Sequence, residues 1–158
     1  MPHPTLALAV IMQRTLLHNR WQAEQWQPVG VVPDSDPPGS PPRLLRDADG
    51  VAQWLHPGFR LELFRDEAEG YYLNVASPGA MVFVNWRDED GPGVPFSVTA
   101  SYNEAARMMD GGARVDGVPM PPEWLPWLAA FVQQHYRPEQ KRKRSRPPSF
   151  KGALRQDP

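Results

Sequence analysis

Over the first hundred positions, apolar residues alternate with polar ones or gather in short blocks, and helical spacing takes over only after them. Residues 6–12, Leu-Ala-Leu-Ala-Val-Ile-Met, form a short apolar block whose β-branched pair Val10-Ile11 predicts a strand rather than a helix. A turn at Asn19-Arg20 leads past Trp21 to residues 26–33, a second strand stopped by Pro33. Residues 34–42, Asp-Ser-Asp-Pro-Pro-Gly-Ser-Pro-Pro, can sustain neither a ladder nor a helix, and predict a loop. Residues 43–46 and 51–55, joined by Asp47-Ala48-Asp49-Gly50, read as a hairpin. Pro57-Gly58 reads as a turn before a half-buried strand over 59–64. Residues 71–75, 81–86 and 96–99 complete a set of seven or eight strands, separated by Pro-Gly and acidic turns.

Beyond residue 100 the period changes. Ser101 and Glu104 have the spacing of a capping box and open a helix over 102–110 that Gly111-Gly112 ends. A loop through Val118-Pro119-Met120 leads to Pro121-Pro122, the start of a second helix over 122–136. Its apolar face is Trp124, Leu128, Phe131, Val132 and His135, and Pro126 requires an irregular first turn or a later start. Strands first and helices last predict an α+β fold. The expected form is one antiparallel, strongly curved or barrel-like sheet of seven or eight strands, followed by two helices.

Charge changes this picture at one end. Residues 1–136 carry 9 arginines, no lysine and 16 acidic residues, whereas residues 137–158 carry 8 basic residues against Glu139 and Asp157. The expected organisation is an acidic globular domain over 1–136 and a flexible, disordered basic tail over 137–158, suited to an acidic or polyanionic partner. Lys141, Arg142, Lys143, Arg144 and Arg146 are its contact residues, with Phe150 and Leu154, four apart, as a short apolar anchor. The absence of cysteine excludes disulfides, a thiolate nucleophile and cysteine-ligated metal, and fits a cytoplasmic location. The apolar start is too short to span a bilayer.

Catalytic chemistry leaves no trace. His3, His18, His56 and His135 are scattered without metal-ligand spacing, and neither a Gly-x-Ser-x-Gly elbow nor a phosphate-binding glycine loop occurs. Asp34-Ser35-Asp36 sits in a proline-rich loop and reads as solvated acids. The runs at 66–69 and 88–90 flank successive strands and are expected near one end of the sheet, as turns. No catalytic residue, metal or cofactor is expected. The six tryptophans, Trp21, Trp26, Trp54, Trp86, Trp124 and Trp127, read chiefly as core, with a binding surface as the other use.

Several segments together resemble a small proteobacterial family. They are Arg20-Trp21-Gln22, Val29-Gly30-Val31, Phe59-Arg60-Leu61-Glu62-Leu63-Phe64-Arg65, Tyr72-Leu73-Asn74-Val75, Val98-Thr99-Ala100-Ser101, Val118-Pro119-Met120-Pro121 and the Lys141–Arg144 run. That family has no assigned biochemistry, and its genes commonly lie beside those of molybdenum formate dehydrogenase. The resemblance implies a non-catalytic accessory or assembly protein for such a molybdoenzyme, meeting an acidic surface of a formate dehydrogenase subunit. Proteins of this kind are sometimes labelled molybdopterin-guanine dinucleotide synthesis factors. Here the first strand ends at Met12-Gln13-Arg14 with no glycine before Gly30, so no nucleotidyltransferase loop is present. Two other readings stand beside this one. One is a nucleic-acid-binding module using the basic tail; the other is a small-molecule-binding barrel or helper in the molybdenum-cofactor pathway.

Overall fold

The computed structural model describes residues 3–138. Two antiparallel sheets form its frame. The first takes strands β1 (Thr5–Leu16), β2 (Glu24–Pro33), β3 (Arg43–Ala48) and β4 (Val51–Glu62), in the order β2-β1-β4-β3. A 3₁₀ turn (Arg65–Glu67) and helix α1 (Ala68–Ala76) lead to the second sheet. That sheet takes β5 (Met81–Arg87), β6 (Val94–Thr99) and β7 (Arg114–Pro119) in the order β6-β5-β7, with α2 (Tyr102–Asp110) between β6 and β7. A 3₁₀ turn (Pro122–Trp124) then runs into α3 (Leu125–His135). The class is α+β, but the barrel-like sheet expected from the strand count does not form. The strands divide into a four-stranded and a three-stranded sheet with no ladder between them.

What joins the sheets is one apolar cluster. Leu8, Val10 and Met12 of β1, Val31 of β2 and Leu61 of β4 pack with Val82, Val84 and Trp86 of β5 and Val118 of β7. Tyr71 of α1 and Leu128, Phe131 and Val132 of α3 belong to the same cluster. All five residues from Val82 to Trp86 are buried, so β5 is covered on both faces, which is why it reads as an apolar run broken only by Asn85. Phe83, on its other face, meets Tyr102 of α2 edge-on at 5.2 Å.

Three local expectations need correction. Pro57-Gly58 is no turn: β4 runs through it with one extra residue against β1, since Leu8 pairs with Phe59 but Val10 with His56. Gly58 takes φ +92° and Asp34 Oδ2 accepts its N–H at 2.8 Å, so the Pro-Gly signal marks a β-bulge. Residues 71–75 are helical, within α1, and not a strand. The buried positions Ala68, Tyr71 and Asn74 recur every three residues, a helical stripe that the β-prone side chains of Tyr71, Tyr72 and Val75 obscured. Residues 114–119, expected as loop, are β7, whose partner β5 sets it in register from Met81↔Pro119 to Trp86↔Arg114.

Other expectations hold. Asp49 and Gly50, at φ +57° and +78°, make the tight hairpin turn between β3 and β4. Ser101 caps α2 through its Oγ, which accepts the Glu104 N–H at 3.0 Å. The Glu104 carboxylate turns instead to the Thr99 hydroxyl, while Thr99 Oγ1 accepts the Ser101 N–H. At the second helix, Pro126 is accommodated because α3 proper begins at Leu125, after the 3₁₀ turn. The basic tail, including Lys141, Arg142, Lys143, Arg144, Arg146, Phe150 and Leu154, lies outside the described residues.

Candidate functional site

The pleat of β1 carries Leu8, Val10 and Met12 into the core, and the same alternation places Arg14 on that face two residues further on. Register then assembles the rest. Trp26 of β2 pairs with Arg14, Trp54 of β4 pairs with Met12, and His56 of β4 pairs with Val10. The end of the β5–β6 connection, Pro92 and Gly93, reaches over this end of the sheet together with Val94, the first residue of β6. Together these residues line a cleft of about 250 Å³, a continuation of the apolar core that opens to the surface.

The walls are aromatic. Trp26 and Trp54 lie 5.3 Å apart between ring centroids, tilted by 33°. The Trp26 indole is pinned by its N–H, donated to Glu24 Oε2 at 2.8 Å. Gly93 presses its backbone onto this ring: a Cβ there would stand 2.6 Å from Trp26 Cβ and 3.0 Å from Cγ, so only glycine permits the approach. The Arg14 guanidinium lies over Trp54, 5.5 Å from the ring centre. Its Nε is buried without a hydrogen-bond partner among the described residues, and it forms no ion pair there. Burial lowers the pKa of His56, so the imidazole is neutral at pH 7 and Arg14 is the cleft's one fixed charge.

On the far side of Trp26 lies a larger, polar groove of about 640 Å³ between β2 and β7. Its polar groups satisfy one another. Trp86 Nε1 donates to Asp116 Oδ2 at 2.7 Å, and Arg114 covers the Trp86 ring while pairing with Asp88 at 2.9 Å.

Elsewhere the chemistry-bearing groups are structural. Ser101 Oγ donates to Glu67 Oε1 at 2.6 Å, which looks like a hydroxyl activated by a carboxylate. Yet Ser101 is fully buried, its oxygen is occupied as a helix cap, and Glu67 is paired with Arg107. Tyr71 is likewise held by the fold. Burial pushes its phenol up, the neighbouring carboxylates of Glu104, Glu67 and Asp66 add to this, and Phe64 donates its N–H to the oxygen at 3.0 Å. The acidic runs part company, Glu67 tying the 3₁₀ turn before α1 to Arg107 of α2 while Asp88 holds Arg114. Asp34 and Asp36 are loop acids, one closing on Gly58 and the other on Arg43. The four histidines do not meet, and no group of three or more His, Asp or Glu able to hold a metal occurs among the described residues.

Sequence reasoning placed the contact residues in the tail and overlooked Arg14, Trp26, Trp54 and His56 as a set. The available signal was an arginine continuing the buried alternation of β1. Finding its partners required the register across three strands. Of the tryptophans, Trp86 and Trp124 are core, whereas Trp21 stands 83% exposed.

The fold and the cleft define a two-sheet α+β domain whose core opens at one end into an aromatic, arginine-bearing recess. Residues 7–145 match the family described as "Protein of unknown function (DUF3305)", and the chain belongs to that family. No curated protein and no solved structure matches it.

Proposed function

We propose that this chain is a non-catalytic accessory protein that docks on a protein partner through the aromatic cleft, with the basic segment 137–158 engaging an acidic surface nearby. The cleft carries this reading: paired tryptophans and an arginine are the side chains that dominate protein interfaces. They stand here at an open surface, with the arginine's buried Nε without a partner among the described residues. The charge division of the sequence supports the second contact, since eight basic residues follow a body of opposite sign. The acidic body also weighs against a nucleic-acid footprint extending beyond the tail.

The partner proposed from the family resemblance is a subunit of a formate dehydrogenase-type molybdoenzyme, met in the cytoplasm. Among the described residues no helix is long and apolar enough to cross a membrane. The test is affinity capture from the native host at low and moderate salt. Full-length protein is compared with a variant in which Lys141, Arg142, Lys143 and Arg144 are all changed to Gln. Recovery of molybdoenzyme subunits that weakens with salt and with the Gln variant is the expected result. Recovery of nuclease-sensitive ribonucleoprotein in their place would move the function to nucleic-acid binding.

A further inference from the structure

The cleft's size and its single charge specify more than a general docking surface. Small-molecule and cofactor sites enclose roughly 300–1,000 Å³. A recess of about 250 Å³ falls below that range and suits one large side chain. Its walls, two indoles and the Pro92–Gly93–Val94 segment, favour an aromatic or long aliphatic group. At its edge Arg14 offers a guanidinium with no ion-pair partner among the described residues and a buried Nε without a hydrogen bond there. A half-buried, unpaired arginine on an apolar wall is completed by a carboxylate, the group its planar fork matches. His56, neutral at pH 7, adds a hydrogen-bonding group without a second charge.

We infer that the cleft recognises a partner segment in which an aromatic or large aliphatic side chain stands beside an acidic residue. The apolar side chain enters between Trp26, Trp54 and Gly93, and the carboxylate meets Arg14. This rests on the docking reading above and names its chemistry. The orientation follows from charge. Beyond Trp26 the polar groove carries Glu24, Asp88 and Asp116 against Arg114 alone, so an acidic partner residue is repelled on that side and held on the Arg14 side. The same argument disfavours the chain's own Lys141–Arg146 run as occupant, because Arg14 would face like charge.

The experiment uses full-length protein and three capped Gly-Ser hexapeptides carrying Asp-Phe, Lys-Phe or Asp-Ala at the centre. Binding is read from the indole N–H resonances of Trp26 and Trp54. The Asp-Phe peptide is expected to shift both. Lys-Phe and Asp-Ala should bind about tenfold more weakly, since a charge-assisted pair or a buried ring is each worth at least that factor. Arg14→Gln should remove the preference for Asp-Phe over Lys-Phe without altering the far-ultraviolet circular dichroism. Should that variant fail to fold, the wild-type preference must still shrink with rising salt, because its origin is one ion pair. Equal binding of Asp-Phe and Lys-Phe, or no indole shift with Asp-Phe at millimolar concentration, overturns the inference. Either result alongside intact molybdoenzyme capture leaves the docking function standing, whereas peptide selectivity without capture overturns that function and retains the cleft's chemistry.

Discussion

Replacing Gly70 with alanine tests whether α1 and α2 are joined as described. Gly70 is buried inside α1, where alanine ordinarily gains about 1 kcal/mol of helix propensity over glycine. Here the added Cβ would overlap Ser101 Oγ and stand 2.9 Å from Ser101 Cβ and 3.1 Å from the Asn103 backbone nitrogen. The serine oxygen cannot stay where it caps α2 and donates to Glu67. Losing the cap costs about 1 kcal/mol, losing a hydrogen bond to a carboxylate about 1.5–3 kcal/mol, and crowding a packed site about 1–3 kcal/mol. Against the propensity gain, the net expectation is destabilisation by about 3–6 kcal/mol, or roughly 10–20 °C in Tm for a domain of this size. Urea unfolding should show the midpoint falling with an unchanged m-value, the mark of a stability change rather than altered compactness. In a Ser101→Ala background the same substitution should cost at least about 1 kcal/mol less, because part of the conflict is already gone. A neutral or stabilising Gly70→Ala would refute the close packing of α1 on the start of α2.

Two other substitutions probe different parts of the molecule. Asn74 is fully buried, donating to the carbonyls of Met81 and Ala100 at 2.7 and 2.9 Å and accepting the Met81 N–H at 2.9 Å. Asn74→Ala leaves three backbone groups without this partner, so denaturant unfolding should register a loss of about 3–4 kcal/mol, and a loss under 1 kcal/mol would show that they find other partners. His56 has its pKa lowered by burial, so the unfolded chain takes up a proton more readily than the folded one. Its contribution to stability is complete above about pH 6.5 and is lost as pH falls through the lower folded value. Urea midpoints at pH 7.5, 6.5 and 5.5 should therefore decline less in His56→Gln than in the wild type, and parallel declines would remove His56 as the cause.

Elements whose character is local were legible in the sequence. The Asp49-Gly50 turn requires positive φ at two successive residues, the Ser101–Glu104 spacing announces a cap, and α3 repeats its apolar face over three turns. Elements fixed by a neighbour were not. β7 has only Val115 and Val118 as apolar side chains and is a strand because β5 pairs with it. The tyrosines of α1 have strand propensity, but the segment is helical and from it Asn74 bonds the carbonyls of Met81 at the start of β5 and Ala100 just after β6. Pro57-Gly58 is the same dipeptide in a turn and in a bulge, and the β1 register and Asp34 decide between them. The cleft follows the same rule. Arg14, Trp26 and Trp54 come from three strands, and nothing in the spacing of these residues says that the ladder will align them.

The separation of the two sheets has a dynamic consequence. Their strands are drawn from consecutive stretches of chain, residues 5–62 and 81–119, and side-chain packing alone holds one plate to the other. Parting them at the cleft end, where Gly93 rests on Trp26, breaks dispersion contacts but no ladder hydrogen bond. Amide hydrogens within each plate are therefore expected to stay protected if the plates part at that end, an outcome that hydrogen exchange would read directly. The recess thus lies on the seam between two separately hydrogen-bonded sheets, so a side chain that fills it acts on packing and not on backbone pairing.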